Sequence, residues 1–214
     1  MDSLKQEFIA HVIKHEALQF GNFTLKSGRI SPYFFNMGNI CSGASLNILG
    51  ACYAEKLISL NLKYDVIYGP AYKGIPLAVA TAMSVAQSVN KNAEYAFHRK
   101  ESKDHGEGGD LVGANLTGNI VIVDDVITKG TAIRESLDLI NKNKDARVTG
   151  IVIALDRMER GDKEITAITQ IEQDYDIKVY PIITANDVFK YVSNNMSADL
   201  KSLVEQYKEE YCAL

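Results

Sequence analysis

The sequence has few cysteines and no long apolar run, and both shortages exclude classes of protein. Its three cysteines, Cys41, Cys52 and Cys212, show no Cys-x-x-Cys spacing, which argues against a disulfide framework and against a zinc site. No stretch approaches the roughly 18 consecutive apolar residues of a membrane-spanning helix. The N-terminus is too polar for a secretory signal and lacks the arginine-rich bias of a transit peptide. We therefore expect a cytoplasmic protein that does not contact a membrane.

Positive charge is also scarce. The chain carries 23 Lys and Arg against 27 Asp and Glu, which gives a net charge of −4 at pH 7. Such a chain has no general attraction for nucleic acid, so any anion that it binds must meet locally concentrated basic residues. Linkers, repeats and low-complexity tracts are absent, and 214 residues with 46% hydrophobic composition predict one globular domain over 1–214.

Short apolar runs alternate with helical patterns along most of the chain. Residues with helical spacing predict helices over 3–17, 43–60, 74–89 and 131–141 and from 197 onward. Runs typical of strands occupy 65–69, 94–97, 119–124, 147–155 and 178–183, whereas 20–40 predict short strands and loops. Capping-box patterns at Ser3 and Thr184 mark two helix starts. This alternation predicts an α/β fold with a doubly wound, mainly parallel sheet.

The most informative segment follows the strand predicted over 119–124. Asp124 and Asp125 end that strand, and a loop rich in Thr and Gly then opens a helix. Ligands of open α/β sheets bind beyond the carboxyl ends of the strands, and a helix N-terminus offers unpaired N–H groups to a phosphate. Gly130 permits close backbone approach, while Thr128 and Thr131 can donate to phosphate oxygens. Because carboxylates accept hydrogen bonds from sugar hydroxyls, the segment predicts a ribose 5-phosphate site.

Two other interpretations of the acidic pair remain open at this point. The carboxylates could simply cap a helix, or they could form an acidic pocket like that of a response regulator. The latter would leave the Thr/Gly loop without a purpose. The dinucleotide and P-loop fingerprints, GxGxxG and GxxxxGK[ST], are absent from this segment, which excludes the commonest nucleotide sites.

The segment 124–132, DDVITKGTA, resembles the motif by which type I phosphoribosyltransferases bind 5-phosphoribosyl 1-pyrophosphate (PRPP). Lys129 departs from the family's pattern, in which this loop position is usually small. Further segments are similar to the orotate phosphoribosyltransferases of that family, and the match runs from about residue 8 to 190. These segments are FTLKSGR at 23–29, SPYFFN at 31–36, GPAYKGIP at 69–76, RKESKDHGEGG at 99–109 and LDR at 155–157.

The resemblance implies a fold, an activity and a set of site residues. A hood built from about 1–40 and C-terminal segments would cover a core of about 60–185. The activity would be transfer of the phosphoribosyl group from PRPP to orotate, with Mg²⁺ as cofactor, held mainly by substrate and water rather than by a protein ligand. The catalytic residues would be Lys103, His105, Asp124 and Asp125. The ribose phosphate would be bound by Asp124, Asp125, Val126, Ile127, Thr128, Lys129, Gly130, Thr131 and Ala132.

The remaining implied residues would bind the pyrophosphate and orotate. The pyrophosphate would be bound by Tyr72, Lys73, Arg99, Lys100, Lys103 and His105, and orotate by Lys26, Phe34, Phe35 and Arg157. In this family the loop over 99–109 reaches the neighbouring site of a homodimer. Taken alone, 98–109 could be a solvated loop and 69–74 an ordinary turn. By the same reasoning, the rings of Phe34 and Phe35 could simply pack in the core, and Arg157 could form a surface ion pair with Asp156 or Glu159.

Two other functions fit the same motif. One is a phosphoribosyltransferase for another base, against which the segments around Lys26, Phe34 and Arg157 argue. The other is a PRPP-responsive regulator that binds nucleic acid, which would need a basic face or an added DNA-binding segment. The histidines show no zinc-type spacing, and His11 and His15 are predicted to lie on a helix surface.

Overall fold

The computed structural model describes residues 2–25, 27–100, 110–161 and 164–213. The helices are α1 (Ser3–Lys14), α2 (Gly43–Ser59), α3 (Gly74–Val89), α4 (Thr131–Ile140), α5 (Ala167–Tyr175), α6 (Ala185–Asn195) and α7 (Ala198–Tyr211), with a short 3₁₀ helix at Met37–Asn39. The strands are β1 (Leu18–Thr24), β2 (Ile30–Phe35), β3 (Val66–Tyr68), β4 (Glu94–His98), β5 (Leu111–Gly113), β6 (Gly118–Val126), β7 (Ala146–Asp156) and β8 (Val179–Thr184).

Six of these strands form the central sheet in the order β5-β4-β3-β6-β7-β8. The pairs from β4 through β8 are parallel, and β5 runs antiparallel to β4 at the edge. Because β3 feeds β4 on one side and β6 continues on the other, the strand order reverses between β3 and β6. The predicted α/β fold with a mainly parallel sheet is confirmed.

Successive residues of the central strands pack into two separate hydrophobic clusters, one on each face of the sheet. Val121 and Val123 of β6 join the cluster that includes residues of α2, α3 and α6. Ile120 and Ile122, between them in sequence, join the cluster that contains residues of α4 and α5. Burial of one such side chain stabilises the fold by roughly 1.5–3 kcal/mol. Helices therefore cover both faces, as in a doubly wound sheet.

Strands β1 and β2 form an antiparallel pair apart from the main sheet. Tyr33 and Phe35 of β2 are buried in the same cluster as α2 and α3. Helix α7 contacts β2, and Tyr207 of α7 lies against the ring of Tyr33 with 6.0 Å between centroids. The N-terminal hairpin and the C-terminal helix thus pack together over one face of the core.

Several local predictions differ from the structure. Helix α1 ends at Lys14 rather than at residue 17, because Glu16 adopts a left-handed conformation (φ 54°) that leads into β1. Its N-cap is Asp2, whose side chain accepts from the Lys5 amide, so the capping box expected at Ser3 is wrong. The capping box of Thr184 with Asp187 is confirmed.

Two further elements and one histidine were not anticipated. The three-residue strand β5 and the mostly polar helix α5 were not predicted, since neither has a long apolar pattern. His11 is only 5% exposed, and its Nε2 lies 3.0 Å from the Ser45 carbonyl oxygen, which contradicts its predicted place on the helix surface. In the described ranges, no helix is long and apolar enough to cross a membrane.

Candidate active site

Two loops leave the same edge of the sheet where the strand order reverses. One follows β3 over residues 69–73, and the other follows β6 over 127–130. Lys73 of the first loop pairs with Asp125 at the end of β6, with 2.8 Å between Nζ and Oδ2. Since ligands of open α/β sheets bind at such a reversal, this edge is the candidate site.

The acidic pair at the end of β6 is almost fully buried, with Asp124 8% and Asp125 5% exposed. The backbone amide of Asp125 donates to Asp124 Oδ1 (2.9 Å), and the amide of Val126 donates to Asp125 Oδ1 (2.7 Å). Burial raises the pKa of Asp124 to about 7, and the negative charge of Asp125 adds to this increase. Both carboxylates are therefore held in fixed orientations by the backbone that carries them.

The loop after β6 brings a helix N-terminus to the site. Gly130 precedes α4 with a left-handed conformation (φ 74°), and no side chain from the described residues caps this helix. Ile127 is buried, whereas Thr128, Lys129 and Thr131 are exposed. An uncapped helix start flanked by hydroxyl groups suits an anion such as a phosphate, because unpaired N–H groups and partial positive charge coincide there.

The loop after β3 presents an aromatic and a basic side chain at the same edge. The peptide bond between Ala71 and Tyr72 is cis, and Tyr72 is 64% exposed. The Nζ atom of Lys100 lies 5.1 Å from the centroid of the Tyr72 ring, and the Arg99 amide donates to the Asp110 carbonyl. The base of the basic segment is therefore next to the loop after β3.

Arg157 follows the carboxyl end of β7 and is buried, with 8% exposed. Its Nη2 donates to Ser31 Oγ (3.1 Å) and to the Tyr207 hydroxyl (2.8 Å), and its Nε pairs with Glu159. The guanidinium carbon also lies 4.4 Å from the centroid of the Tyr33 ring. The alternative of a surface ion pair is thus corrected. The partner is Glu159, which is partly exposed, but the guanidinium itself is buried beneath the hairpin and α7.

Phe34 and Phe35 point to opposite sides of β2, as alternation along a strand requires. Phe35 is 8% exposed and belongs to the hydrophobic core, so core packing accounts for its ring. Phe34 is 40% exposed and lies beside Phe23. The sequence-based assignment of both residues to orotate stays a prediction, as do the other assigned roles. Lys26, Lys103 and His105 lie outside the described residues.

The structure adds four residues that sequence reasoning missed. Tyr53 donates to the Asp124 carbonyl oxygen (2.7 Å), while Ser31, Glu159 and Tyr207 hold Arg157. Ser31, Tyr53 and Tyr207 lie 50 or more positions from the groups that they hold, so no local pattern could have indicated them. Glu159, two residues from Arg157, was considered only as its surface partner.

A bound divalent cation would have to use few protein ligands. In the described part of the chain, no group of three or more His, Cys, Asp or Glu side chains is arranged to hold a metal ion. Asp124 and Asp125 nevertheless present carboxylate oxygens at the end of β6, and Mg²⁺ prefers oxygen donors while it keeps several waters. The residues fit a hydrated ion that is carried mainly by a phosphorylated substrate.

Known proteins resemble this chain over nearly its whole length. The family model described as phosphoribosyl transferase domain matches residues 42–184. The orotate phosphoribosyltransferase of Yersinia enterocolitica is 50% identical over 212 residues, 99% of each chain. That of Proteus mirabilis is 49% identical over 213 residues, again 99% of each chain. The crystal structure of orotate phosphoribosyltransferase from Francisella tularensis superposes with a TM-score of 0.87 at 40% identity, covering 96% of this chain and 99% of that one.

These matches and the geometry agree with each other. The chain belongs to the phosphoribosyl transferase family, in its orotate phosphoribosyltransferase branch, as the sequence motifs indicated. The fold is shared by a crystal structure of Mycobacterium tuberculosis orotate phosphoribosyltransferase in complex with PRPP. That structure superposes with a TM-score of 0.62 at 16% identity, covering 85% of this chain and 98% of that one.

Proposed function

We propose that this chain transfers the 5-phosphoribosyl group of PRPP to N1 of orotate, which yields orotidine 5′-monophosphate and pyrophosphate on the route to UMP. The observation that carries the proposal is the pairing of Lys73 with Asp125, which joins the loop after β3 to the end of β6 at the reversal of strand order. The full-length similarity to orotate phosphoribosyltransferases supports the choice of base.

The ribose 5-phosphate would bind at the end of β6. Asp124 and Asp125 would accept hydrogen bonds from the ribose hydroxyls, directly or through hydrated Mg²⁺. The loop and first turn over 126–132 would supply amide and hydroxyl donors to the phosphate. The burial of both carboxylates supports this role, because their orientations are fixed before the substrate arrives.

The pyrophosphate would lie on the loop after β3. Tyr72, Lys73, Arg99 and Lys100 are candidates to bind it, together with Lys103 and His105 of the undescribed segment. Lys73 would exchange its Asp125 partner in part for pyrophosphate oxygens. As the bond from ribose C1 to pyrophosphate breaks, Lys103 would stabilise the charge on the departing oxygen and His105 would donate a proton. When bound, Mg²⁺ would neutralise charge on the pyrophosphate.

Orotate N1 would release its proton to solvent and form the new bond to C1 as the bond to pyrophosphate breaks, so the protein needs no nucleophile of its own. The transition state should resemble an oxocarbenium ion, as in other glycosyl transfers. Lys26, Phe34, Phe35 and Arg157 would hold orotate under the hairpin. The position of Arg157 after the carboxyl end of β7, next to β6, supports its role toward the orotate carboxylate.

The remaining features belong to the same proposal. We propose a homodimer in which segment 99–109 reaches the neighbouring site, and a single domain whose hood combines the N-terminal hairpin with C-terminal segments. The contact of β2 with α7 supports such a hood. Three free cysteines, two of them buried, fit the reducing environment of the cytoplasm.

The direct test is release of pyrophosphate from PRPP by the purified chain. We expect release that requires both orotate and Mg²⁺, with other bases tested in competition as controls. Orotate-independent release, or a preference for a purine, would contradict the proposed substrate. Filter binding to DNA and RNA tests the alternative of a nucleic-acid regulator, for which we expect no retention.

A further inference from the structure

Tyr53 lies in α2, is fully buried and points its hydroxyl group at the end of β6. The hydroxyl donates to the carbonyl oxygen of Asp124 at 2.7 Å. Nothing in the proposed chemistry uses this side chain, and its burial keeps it away from any substrate. Its contact with the acidic pair is therefore made through the backbone alone.

The peptide between Asp124 and Asp125 lies where the sheet narrows. Strand β3 pairs with β6 only as far as Ile122, whereas β7 continues alongside to Val126. Beyond Ile122 the β3 side of β6 has no neighbouring strand among the described residues. On the other side Asp124 stays in register with Ile153 of β7, so a strand bounds this peptide on one side only. The Tyr53 hydroxyl adds a hydrogen bond from α2 to its carbonyl oxygen.

The same peptide unit carries the link between the two carboxylates. Its oxygen accepts from Tyr53, and its N–H, which belongs to Asp125, donates to Asp124 Oδ1. The next N–H, of Val126, donates to Asp125 Oδ1, whose second oxygen pairs with Lys73. A fixed plane for this peptide therefore fixes the direction of both carboxylates.

We infer that Tyr53 is a positioning residue for the ribose site, acting through the peptide between Asp124 and Asp125. Without the hydroxyl, this peptide keeps its place beside β7 but loses its hydrogen bond from α2, so the carboxylates are held less firmly for the ribose hydroxyls. The inference depends on the proposed function for the identity of the ligand. The binding of orotate, which is proposed to lie under the hairpin, should not depend on Tyr53.

The test is Tyr53→Phe, which removes only the hydroxyl group and keeps the buried ring. Loss of one buried hydrogen bond should raise the KM for PRPP by roughly tenfold. The KM for orotate should stay within about twofold, since that site makes no use of the Asp124 peptide. Calorimetry with PRPP in the absence of orotate should show the same loss of affinity. Tyr53→Met, which also lacks a donor, should behave alike and provides a second variant.

Tyr64→Phe is the matched control. Tyr64 is also buried, at 4% exposed, but it precedes β3 at the amino-terminal edge of the sheet, opposite the site. Its variant should leave both KM values unchanged, even if its melting temperature falls as far as that of Tyr53→Phe. If the KM for PRPP rose in proportion to the loss of stability in Tyr53→Phe, Tyr53→Met and Tyr64→Phe alike, the positioning role would be overturned.

The remaining outcomes separate this inference from the proposed function. An unmodified chain that fails to bind PRPP would contradict the proposed function itself. An unmodified chain that binds PRPP, with Tyr53→Phe binding equally well, would overturn the inference alone. Failure of both Tyr53 variants to fold would overturn it too, because the hydroxyl would then be a requirement of folding.

Discussion

Gly130 offers a test of how the phosphate loop is built. It precedes α4 with φ +74°, a conformation that costs a non-glycine residue ~1 kcal/mol. A Cβ added there would also meet Ile171 Cδ1 at 2.8 Å. The neighbouring atom is the end of a flexible side chain, so we assign the contact another ~1 kcal/mol. Gly130→Ala should therefore lower the free energy of unfolding by ~2 kcal/mol.

Two other glycines separate the cost of the backbone conformation from the cost of the steric contact. Gly28 has a positive φ of 84° but open space around its Cβ position, so Gly28→Ala should show only the backbone cost of ~1 kcal/mol. Gly43, the first residue of α2, has neither a positive φ nor a nearby atom. Gly43→Ala should leave stability unchanged or raise it by up to ~1 kcal/mol, the difference in helix propensity.

The assay is urea denaturation, with the melting temperature as a second measure. A loss of ~2 kcal/mol should lower the melting temperature of a chain of this size by about 4–8 °C. Ile171→Val deletes the atom that the new methyl would contact, so the steric part should vanish in the double variant Gly130→Ala/Ile171→Val. Strict additivity of the two single variants would refute the contact. Equal stability of Gly130→Ala and the unmodified chain would refute the whole argument.

Three further predictions concern the charged groups. Because the pKa of Asp124 is about 7 in the folded protein against 3.8 for an ordinary Asp, stability should fall as the pH rises from about 4 to about 7. Asp124→Asn should therefore raise the urea midpoint more at pH 8 than at pH 5. The exposed control Asp145→Asn should show no such difference. Equal increases in the urea midpoint of Asp124→Asn at both pH values would contradict a destabilising buried charge at Asp124. Arg157→Lys keeps the charge but loses the fork that holds Glu159, Ser31 and Tyr207, so the KM for orotate should rise by roughly tenfold or more with little change for PRPP. Calorimetry that finds equal orotate affinity would remove Arg157 from the site. Lys103→Ala and Asp125→Asn should each severely impair the activity of the homodimer. If segment 99–109 acts on the neighbouring site, heterodimers of the two variants should recover activity, because both substitutions then fall in one site and the other site is intact. Heterodimers verified by native mass spectrometry that stay inactive would place the segment in its own subunit's site.

The sequence alone determined the fold class and the place of the acidic pair. Continuous apolar runs alternating with helical spacing predicted a sheet covered on both faces, and the structure has one. Since parallel strands end at a common edge, the loops after β3 and β6 had to lie near each other, and Lys73 meets Asp125 there. Short elements were harder to predict from the sequence, because β5 has three residues and α5 buries only Ile168 and Ile171.

Only the tertiary structure decided how the site residues are held. Tyr53 reaches Asp124 across 71 positions, and Arg157 reaches Ser31 across 126 and Tyr207 across 50. Such contacts depend on where helices and the hairpin pack on the sheet, which leaves no periodic signal in the chain. The same holds for His11, whose ring lies beside the Ser45 carbonyl oxygen of α2 instead of facing solvent. Local periodicity reports which face of an element is buried, whereas the partner of a buried polar group is set by packing between elements that are distant in sequence.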